Sequence, residues 1–106
     1  MLKKYAVALF LILALGAAAE AQKANGAVVT GTVVDRQGRQ APGLMVFLVT
    51  QHARTGPVTS DRNGQFFFTR VPLGQVYYVE VYWGKDLMYR KPVKVDRDTN
   101  LGVIRL

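Results

Sequence analysis

Side chains that could carry catalysis are scarce in this chain of 106 residues. His52 is the only histidine, Ser60 is the only serine, and cysteine is absent. Neither a set of nucleophile, base and orienting group nor a metal site of histidine and cysteine can be assembled from this inventory. His52 also lies in a polar stretch, 51–56, that is typical of an exposed loop. We therefore predict no catalytic residue, no metal, no cofactor and no enzyme activity.

Oxygen ligands alternate at Asp96, Asp98 and Asn100, as at the start of a calcium-binding loop. Such a loop needs a glycine at its sixth position and a bidentate glutamate at its twelfth. Leu101 stands at the sixth position of this segment. The pair Asp61 and Asn63 also lacks the further ligands that a calcium-binding loop requires. These residues are therefore predicted to form polar turns and no metal site.

Aromatic residues interleaved with basic residues are the chemistry that the chain does supply. Exposed rings beside cations can stack on sugars or anchor a protein partner. The alternative is local packing, in which the rings cover one another across strands or lie under the loop 85–89. The sequence leaves both interpretations open. The predicted surface consists of Phe67, Arg70, Tyr78, Tyr82, Trp83, Lys85, Tyr89 and Arg90.

Short segments with alternating apolar residues must position these side chains. They recur between Gly, Pro, Asn and Asp residues, and no window after the N-terminal segment has apolar residues at helical spacing. The pattern predicts strands near 27–34, 44–50, 58–60, 65–71, 76–82, 89–95 and 102–106. Seven short strands bury their apolar faces best as two packed sheets. The predicted fold is all-β, a small seven-stranded Greek-key β-sandwich.

The alternation also predicts which side chains face the core. A register that buries Tyr77 is preferred because it sends the charge of Glu80 outward. Gly31 interrupts a strand and predicts a bulge or the close approach of a backbone or a large ring. The inner set is Val29, Gly31, Val33, Leu44, Val46, Leu48, Phe66, Phe68, Tyr77, Val79 and Val81.

Two similar tetrapeptides, 35–38 and 61–64, carry turn signals. Aspartate at the first position can accept backbone N–H groups two residues on, and glycine at the last tolerates positive φ. Each tetrapeptide is predicted to form a hairpin. The residues assigned to turns or to backbone geometry are Gly31, Asp35, Gly38, Pro42, Gly43, Asp61, Asn63, Gly64, Pro72 and Gly74.

The N-terminal segment has the three parts of a secretory signal peptide. Lys3 and Lys4 precede an apolar run that is too short to cross a membrane, and Ala19-Glu20-Ala21 follows. We predict a cleaved signal peptide at 1–21, with Ala19 as the alternative cleavage site, and one domain at 22–106 with no membrane span. The absence of cysteine favours a bacterial periplasmic or secreted location.

The predicted mature domain is basic. The whole chain has a net charge of +7, and removal of Lys3, Lys4 and Glu20 leaves 12 basic and 6 acidic residues, or +6. A basic surface favours polyanions, but these arginines are scattered and form no run that indicates a specific nucleic-acid partner.

The order and spacing of several motifs resemble those of the carboxypeptidase regulatory-like domain, a transthyretin-like (prealbumin-like) β-sandwich. The motifs are 31–35, the turn ending at Gly38, 41–48, 59–66 and 71–74, followed by the aromatic and valine alternation. The resemblance covers nearly all of 22–106 and implies a non-enzymatic accessory or interaction module. Hydroxyisourate hydrolase resembles the chain only in architecture, because its Tyr-Arg-Gly-Ser ending is replaced here by residues 103–106.

These observations predict an exported, non-enzymatic binding or assembly module of the bacterial envelope that engages a protein partner through the aromatic and basic surface. Binding of a carbohydrate or another polyanion on the same surface is the first alternative. The second is formation of a homo-oligomer through open sheet edges.

Overall fold

The computed structural model describes residues 26–106, which form seven β-strands. No helix occurs among these residues, and so none that could span a membrane. The predicted signal peptide, 1–21, and the first residues of the predicted domain, 22–25, lie outside the described residues. The strands are β1 (Ala27–Val34), β2 (Met45–Val49), β3 (Arg54–Thr59), β4 (Gln65–Val71), β5 (Gln75–Trp83), β6 (Asp86–Val95) and β7 (Thr99–Arg105).

The strands form two sheets that pack face to face. The three-stranded sheet has the order β4-β1-β7, and the four-stranded sheet has the order β3-β2-β5-β6. Strand β7 runs parallel to β1, whereas all other neighbours are antiparallel. The all-β architecture with seven strands in two sheets, predicted from the alternation of apolar residues, is confirmed.

The core lies between the inner faces of the two sheets. Every predicted inner residue is buried, including Leu48 and Val81, which are fully inaccessible to solvent. The prediction succeeds because alternate side chains of a strand point to opposite faces, so one buried face fixes the set. Glu80 lies on the outer face, as the preferred register requires.

Gly31 is explained by a neighbouring ring. A Cβ atom at position 31 would lie 2.6 Å from Cζ of Phe66, its partner across β1 and β4. No side chain larger than hydrogen fits without displacement of that ring. The predicted close approach of a large ring is confirmed.

Some strands are longer than the alternation of apolar residues predicts. β3 begins at Arg54 although 51–56 is predicted to be a loop, and β7 begins at Thr99. β3 is an edge strand with almost no buried side chain, so backbone pairing with β2 forms it without an apolar pattern. The register between β7 and β1 shifts where Thr30 pairs with Asn100 and Thr32 pairs with Val103, and this shift interrupts the alternation of β7.

Both aspartate turns have the predicted local geometry. Oδ1 of Asp35 accepts the backbone N–H of Gln37 and of Arg39, each at 2.9 Å, and Gly38 has a φ of 81°. Oδ1 of Asp61 accepts two backbone N–H groups in the same way, and the turn ends at Gly64 with a φ of 75°.

The prediction that each turn closes a hairpin holds only locally at the first turn, where Val34 and Gln40 form a single antiparallel bridge, and is wrong for the second. The first turn lies on the path from β1 to β2 and the second joins β3 to β4, and in both cases the two strands belong to different sheets. A tight turn reverses the chain but does not decide whether the next strand pairs with the previous one. Hairpins within one sheet instead join β2 to β3 and β5 to β6.

The two proline and glycine turns are fixed by contacts with the rest of the sandwich. The backbone N–H of Gly43 donates to Ser60 O at 2.9 Å, and that of Gly74 donates to Val95 O at 2.8 Å. The hydroxyl of Tyr77 donates to the carbonyl oxygen of Pro72 at 2.8 Å. These hydrogen bonds attach the two turns to the neighbouring strands and to Ser60.

Candidate functional site

The outer face of the four-stranded sheet gathers aromatic and charged side chains from all four of its strands. Cross-strand pairing places Phe47 opposite Glu80, and Glu80 opposite Arg90. We call this surface the aromatic-arginine face. It consists of Phe47 on β2, Arg54 on β3, Tyr78, Glu80 and Tyr82 on β5, and Arg90 on β6.

One half of the aromatic-arginine face is a stack on Phe47. The guanidinium carbon of Arg54 lies 3.7 Å from the centroid of the Phe47 ring and 5.4 Å from that of Tyr82. The two rings meet edge to face, with centroids 5.6 Å apart and planes at 89°. Phe47 is only 8% exposed although it lies on the outer face. The guanidinium of Arg54 and the ring of Tyr82 cover Phe47. The Phe47 ring in turn holds both groups in position.

The other half is organised by Glu80. Oε1 of Glu80 accepts the hydroxyl of Tyr82 at 3.1 Å, and Oε2 accepts Nε–H of Arg90 at 3.1 Å. The guanidinium carbon of Arg90 lies 3.9 Å from the centroid of the Tyr78 ring. A continuous series of contacts therefore runs from Arg54 on the edge strand β3 to Arg90 on the opposite edge strand β6, where Arg90 also lies over the ring of Tyr78.

The face carries one uncompensated positive charge. Arg90 neutralises Glu80, whose side chain is 12% exposed. None of the salt bridges among residues 26–106 includes Arg54, which is exposed. The Arg54 guanidinium lies over the Phe47 ring, and its N–H donors suit a carboxylate or carbonyl oxygen of a bound molecule.

The sequence left open whether the rings form a binding surface or pack against one another. Their exposure shows that each interpretation applies to part of the face. Phe47 and Tyr82 cover each other, as local packing requires. Tyr78 remains 38% exposed beside Arg90, and Arg54 is exposed above Phe47. The face is thus a preformed platform with its contacts already ordered.

The structure separates Phe67 and Arg70 from the aromatic-arginine face. Both residues lie on β4 in the three-stranded sheet, so the prediction of a single surface that includes them is wrong. Consecutive strands β4 and β5 belong to different sheets, and this long-range choice is not encoded in the alternation. Phe67 is 64% exposed, and Arg70 lies at a bulge with a φ of 56°.

Three further predicted residues lie near the β5–β6 hairpin. Lys85 is exposed in the turn between β5 and β6. Trp83 is 60% exposed and lines a cleft of about 390 Å³ at the end of the sandwich. Tyr89 is half-buried and packs against the core between the sheets. The predicted common surface is wrong for Trp83 and Tyr89, because both share the inward orientation of Val81 while Tyr78 and Tyr82 point outward.

Sequence reasoning missed Phe47, Arg54 and Glu80 as members of the face. Phe47 could have been found, because it alternates with the predicted inner residues Val46 and Leu48 and must point outward. Arg54 carried no signal, since its strand lacks an apolar pattern. Its position depends on the pairing of β3 with β2.

The remaining polar candidates have structural roles. Ser60 is buried, donates to Ala41 O at 2.8 Å and accepts the backbone N–H of Leu44 at 3.0 Å. His52 is exposed in the β2–β3 hairpin. Asp98 accepts the backbone N–H of Val28, and Asn100 accepts that of Gly102. Residues 26–106 contain no group of three His, Cys, Asp or Glu side chains that could hold a metal ion.

Comparison with solved structures shows the fold. The chain superimposes on the TIE protein of Bacillus anthracis with a TM-score of 0.60 and 14% identity, covering 74% of this chain and 16% of that one. It also superimposes on 5-hydroxyisourate hydrolase of Klebsiella pneumoniae with a TM-score of 0.55 and 17% identity, covering 74% and 84%. The fold is a transthyretin-like β-sandwich. The chain thus spans about a sixth of the TIE protein.

Sequence comparisons add no assignment. No family model matches the chain, and no curated protein matches it by sequence.

The likeness to 5-hydroxyisourate hydrolase corrects the prediction that the chain is not an enzyme. A protein of the same fold is a hydrolase, so the architecture does not exclude catalysis. The prediction counted only serine, cysteine and histidine chemistry, whereas Lys, Tyr, Asp and Glu also transfer protons in active sites. At 17% identity the likeness shows the fold alone and assigns no reaction to this chain.

Proposed function

We propose that this protein is an exported binding and assembly module of the bacterial cell envelope that holds a protein partner on the aromatic-arginine face. The motif order supports a finer assignment to the carboxypeptidase regulatory-like group of transthyretin-like domains.

The observation that carries the proposal is the ordered stack of Arg54 on Phe47 beside the exposed ring of Tyr78. Aromatic rings and arginines contribute most of the binding energy in protein interfaces. Their entropy cost is lowest when they are held in place before binding. On this face, Tyr82, Glu80 and Arg90 supply that order through hydrogen bonds and ring contacts.

The test is capture of a partner from the envelope fraction of the source bacterium by the immobilised domain 22–106. We expect Tyr78→Ala and Arg54→Gln each to weaken capture by about tenfold or more, since truncation of such anchors commonly costs 1–2 kcal/mol or more. Tyr78 is partly exposed and Arg54 is exposed, so the thermal midpoint of each variant should stay close to that of the unchanged protein.

Two matched controls distinguish this face from the rest of the surface. Phe67→Ala removes an exposed ring from the opposite sheet, and Arg62→Gln removes an arginine from the turn that joins β3 to β4. Neither should change capture. Equal losses in all four variants, or capture that survives both test substitutions, would refute the proposal.

Salt dependence separates a protein partner from a polyanion on the same face. A polyanion is held mainly by long-range attraction to the basic surface, which salt screens. We expect capture to survive 0.5 M salt with only a modest loss, roughly as for a packed protein interface. Capture that disappears over that range would favour the polyanion.

Export is tested separately by mass spectrometry of the protein recovered from the periplasm or the culture medium. The three-part N-terminal pattern predicts a mature chain that begins at Gln22. Retention of residues 1–21 in the recovered protein would contradict the signal peptide.

A further inference from the structure

We propose that the outer face of the three-stranded sheet is a second binding site, specific for a neutral oligosaccharide. The aromatic side chain of this site is Phe67, which lies on the opposite sheet from the aromatic-arginine face. The site is therefore independent of the partner proposed for that face.

Cross-strand pairing places the relevant side chains in two rows. Thr30 pairs with Phe67 on one side and Asn100 on the other, and Thr32 pairs with Gln65 and Val103. Each row crosses three strands and so spans about 10 Å, which suits two linked sugar rings. We call this surface the ring-and-amide face.

The ring of Phe67 provides the apolar surface for stacking. It is 64% exposed and borders a shallow depression of about 230 Å³. The C–H faces of a sugar ring pack on an aromatic ring, which is the main apolar contact that such a ligand offers. A Phe ring this exposed on a sheet face otherwise costs hydrophobic free energy.

Hydroxyl and amide groups line the rest of the depression. Gln65 and Asn100 are exposed, and Thr30 and Thr32 are half-buried beside the ring. Oδ1 of Asn100 accepts the backbone N–H of Gly102 at 2.8 Å, which fixes the amide plane. The Nδ2 donors can then bond to a sugar hydroxyl while the side chain keeps its orientation.

The absence of charge in this depression indicates the class of ligand. Its lining residues are Thr30, Gly31, Thr32, Gln65, Phe66, Phe67 and Asn100, and none of them is ionisable. Arg105 lies farther along β7, and its Nη2 donates to Arg36 O at 2.6 Å. A polyanion would find no cation here, whereas hydroxyl groups of a neutral saccharide match amides and hydroxyls.

A second copy of the chain is a poorer occupant. Stable homodimers bury extended surfaces with an apolar centre. On this face the exposed rings and large aliphatic groups are limited to Phe67, Val103 and the partly exposed Val28, and polar threonines separate Phe67 from Val103.

The test is an NMR titration of the domain 22–106 with cellopentaose, maltopentaose and chitopentaose at millimolar concentrations. At least one should shift the amide signals of Gln65, Phe67 and Thr30 and the side-chain amide of Asn100. Phe67→Ala should weaken that binding by about tenfold or more, equivalent to about 1.4 kcal/mol. Tyr78→Ala, a ring removed from the other sheet, should leave it unchanged.

Failure of this site is distinguishable from failure of the proposed protein partner. No shift with any of the three sugars would overturn the inference, as would shifts confined to the aromatic-arginine face. Size-exclusion chromatography over a concentration series tests the second copy. Association that Phe67→Ala abolishes would also overturn the inference, whatever the result of partner capture.

Discussion

Gly31 has no room for a side chain, because the ring of Phe66 occupies that space. Gly31→Ala should lower the free energy of unfolding by about 1–3 kcal/mol, the usual cost of overpacking a core. Urea denaturation of the single variant measures this loss.

A double-mutant cycle with Phe66→Leu shows whether the ring is the cause. The smaller side chain relieves the contact, so Gly31→Ala should cost less in the Phe66→Leu background than alone. Equal costs in both backgrounds would show that the Phe66 ring is not the cause.

Tyr77 couples stability to alkaline pH. Burial raises the pKa of the Tyr77 hydroxyl above its ordinary value of 10.0. Below pH 10 the hydroxyl is neutral in the folded and unfolded chains; above it the unfolded chain loses its proton first, so stability falls as pH rises through the folded pKa.

We expect Tyr77→Phe to change that pH dependence. The variant loses the hydrogen bond to Pro72 O and should be less stable by about 1 kcal/mol at neutral pH. Its stability should then fall less steeply than that of the unchanged protein above pH 10. Parallel profiles in thermal denaturation at neutral and alkaline pH would contradict the role of burial.

Asp35 shows how a turn stabilises a charge. The backbone N–H of Arg39 lowers the pKa of the Asp35 carboxyl most strongly, and the Arg39 side chain and the backbone N–H of Gln37 act in the same direction, while burial opposes them. The contribution of this carboxylate is therefore present above the unfolded pKa of 3.8 and is lost as pH falls through the folded pKa.

Among the strands, the two edges of the four-stranded sheet share one feature. Pro57 lies in β3 and Pro92 lies in β6, and these are the outer strands of that sheet. Proline has no backbone N–H to offer to another strand, so both edges are protected against pairing with a second chain. This arrangement opposes self-assembly through the four-stranded sheet.

Replacement of Pro92 tests that protection. Pro92→Thr adds an N–H to the edge of β6 and should increase association in size-exclusion chromatography over a concentration series. Pro42→Thr changes the same residue type in a turn and serves as the control. Identical elution of both variants and the unchanged protein would show that the edge is closed by something other than proline.

The strands were easier to predict than their partners. Alternation located the interior of every strand except β3, because burial of one face leaves a period of two in the sequence. The same reasoning missed the start of β3, since an edge strand with exposed side chains has no such period. The aspartate turns were predicted correctly in their local geometry, but neither joins two neighbouring strands of one sheet. Hydrogen bonds within four residues determine a turn, whereas the choice of sheet depends on distant strands.

For the molecule as a whole, the described residues form one hydrophobic core. Buried apolar residues from Ala27 to Ile104 form one cluster that draws on both sheets. The domain has no disulfide, because the chain contains no cysteine. Its stability must come from this cluster and from the hydrogen bonds of the sheets.

The domain 22–106 should therefore fold without residues 1–21. We expect a single cooperative urea transition and a structured near-ultraviolet circular dichroism spectrum, as for other small domains with one core. A near-ultraviolet signal that appears only when residues 1–21 are present would contradict this expectation.

The sequence by itself determined the number and order of the strands, their inward-facing residues and the local form of the turns. These properties arise from the period of a strand and from bonds between residues close in the chain. Only the tertiary structure decided that Phe67 and Tyr78 lie on opposite sheets and that Arg54 stacks on Phe47. Both arrangements depend on which strands pair although they are far apart in the sequence. That pairing is determined by the free energy of the whole sandwich.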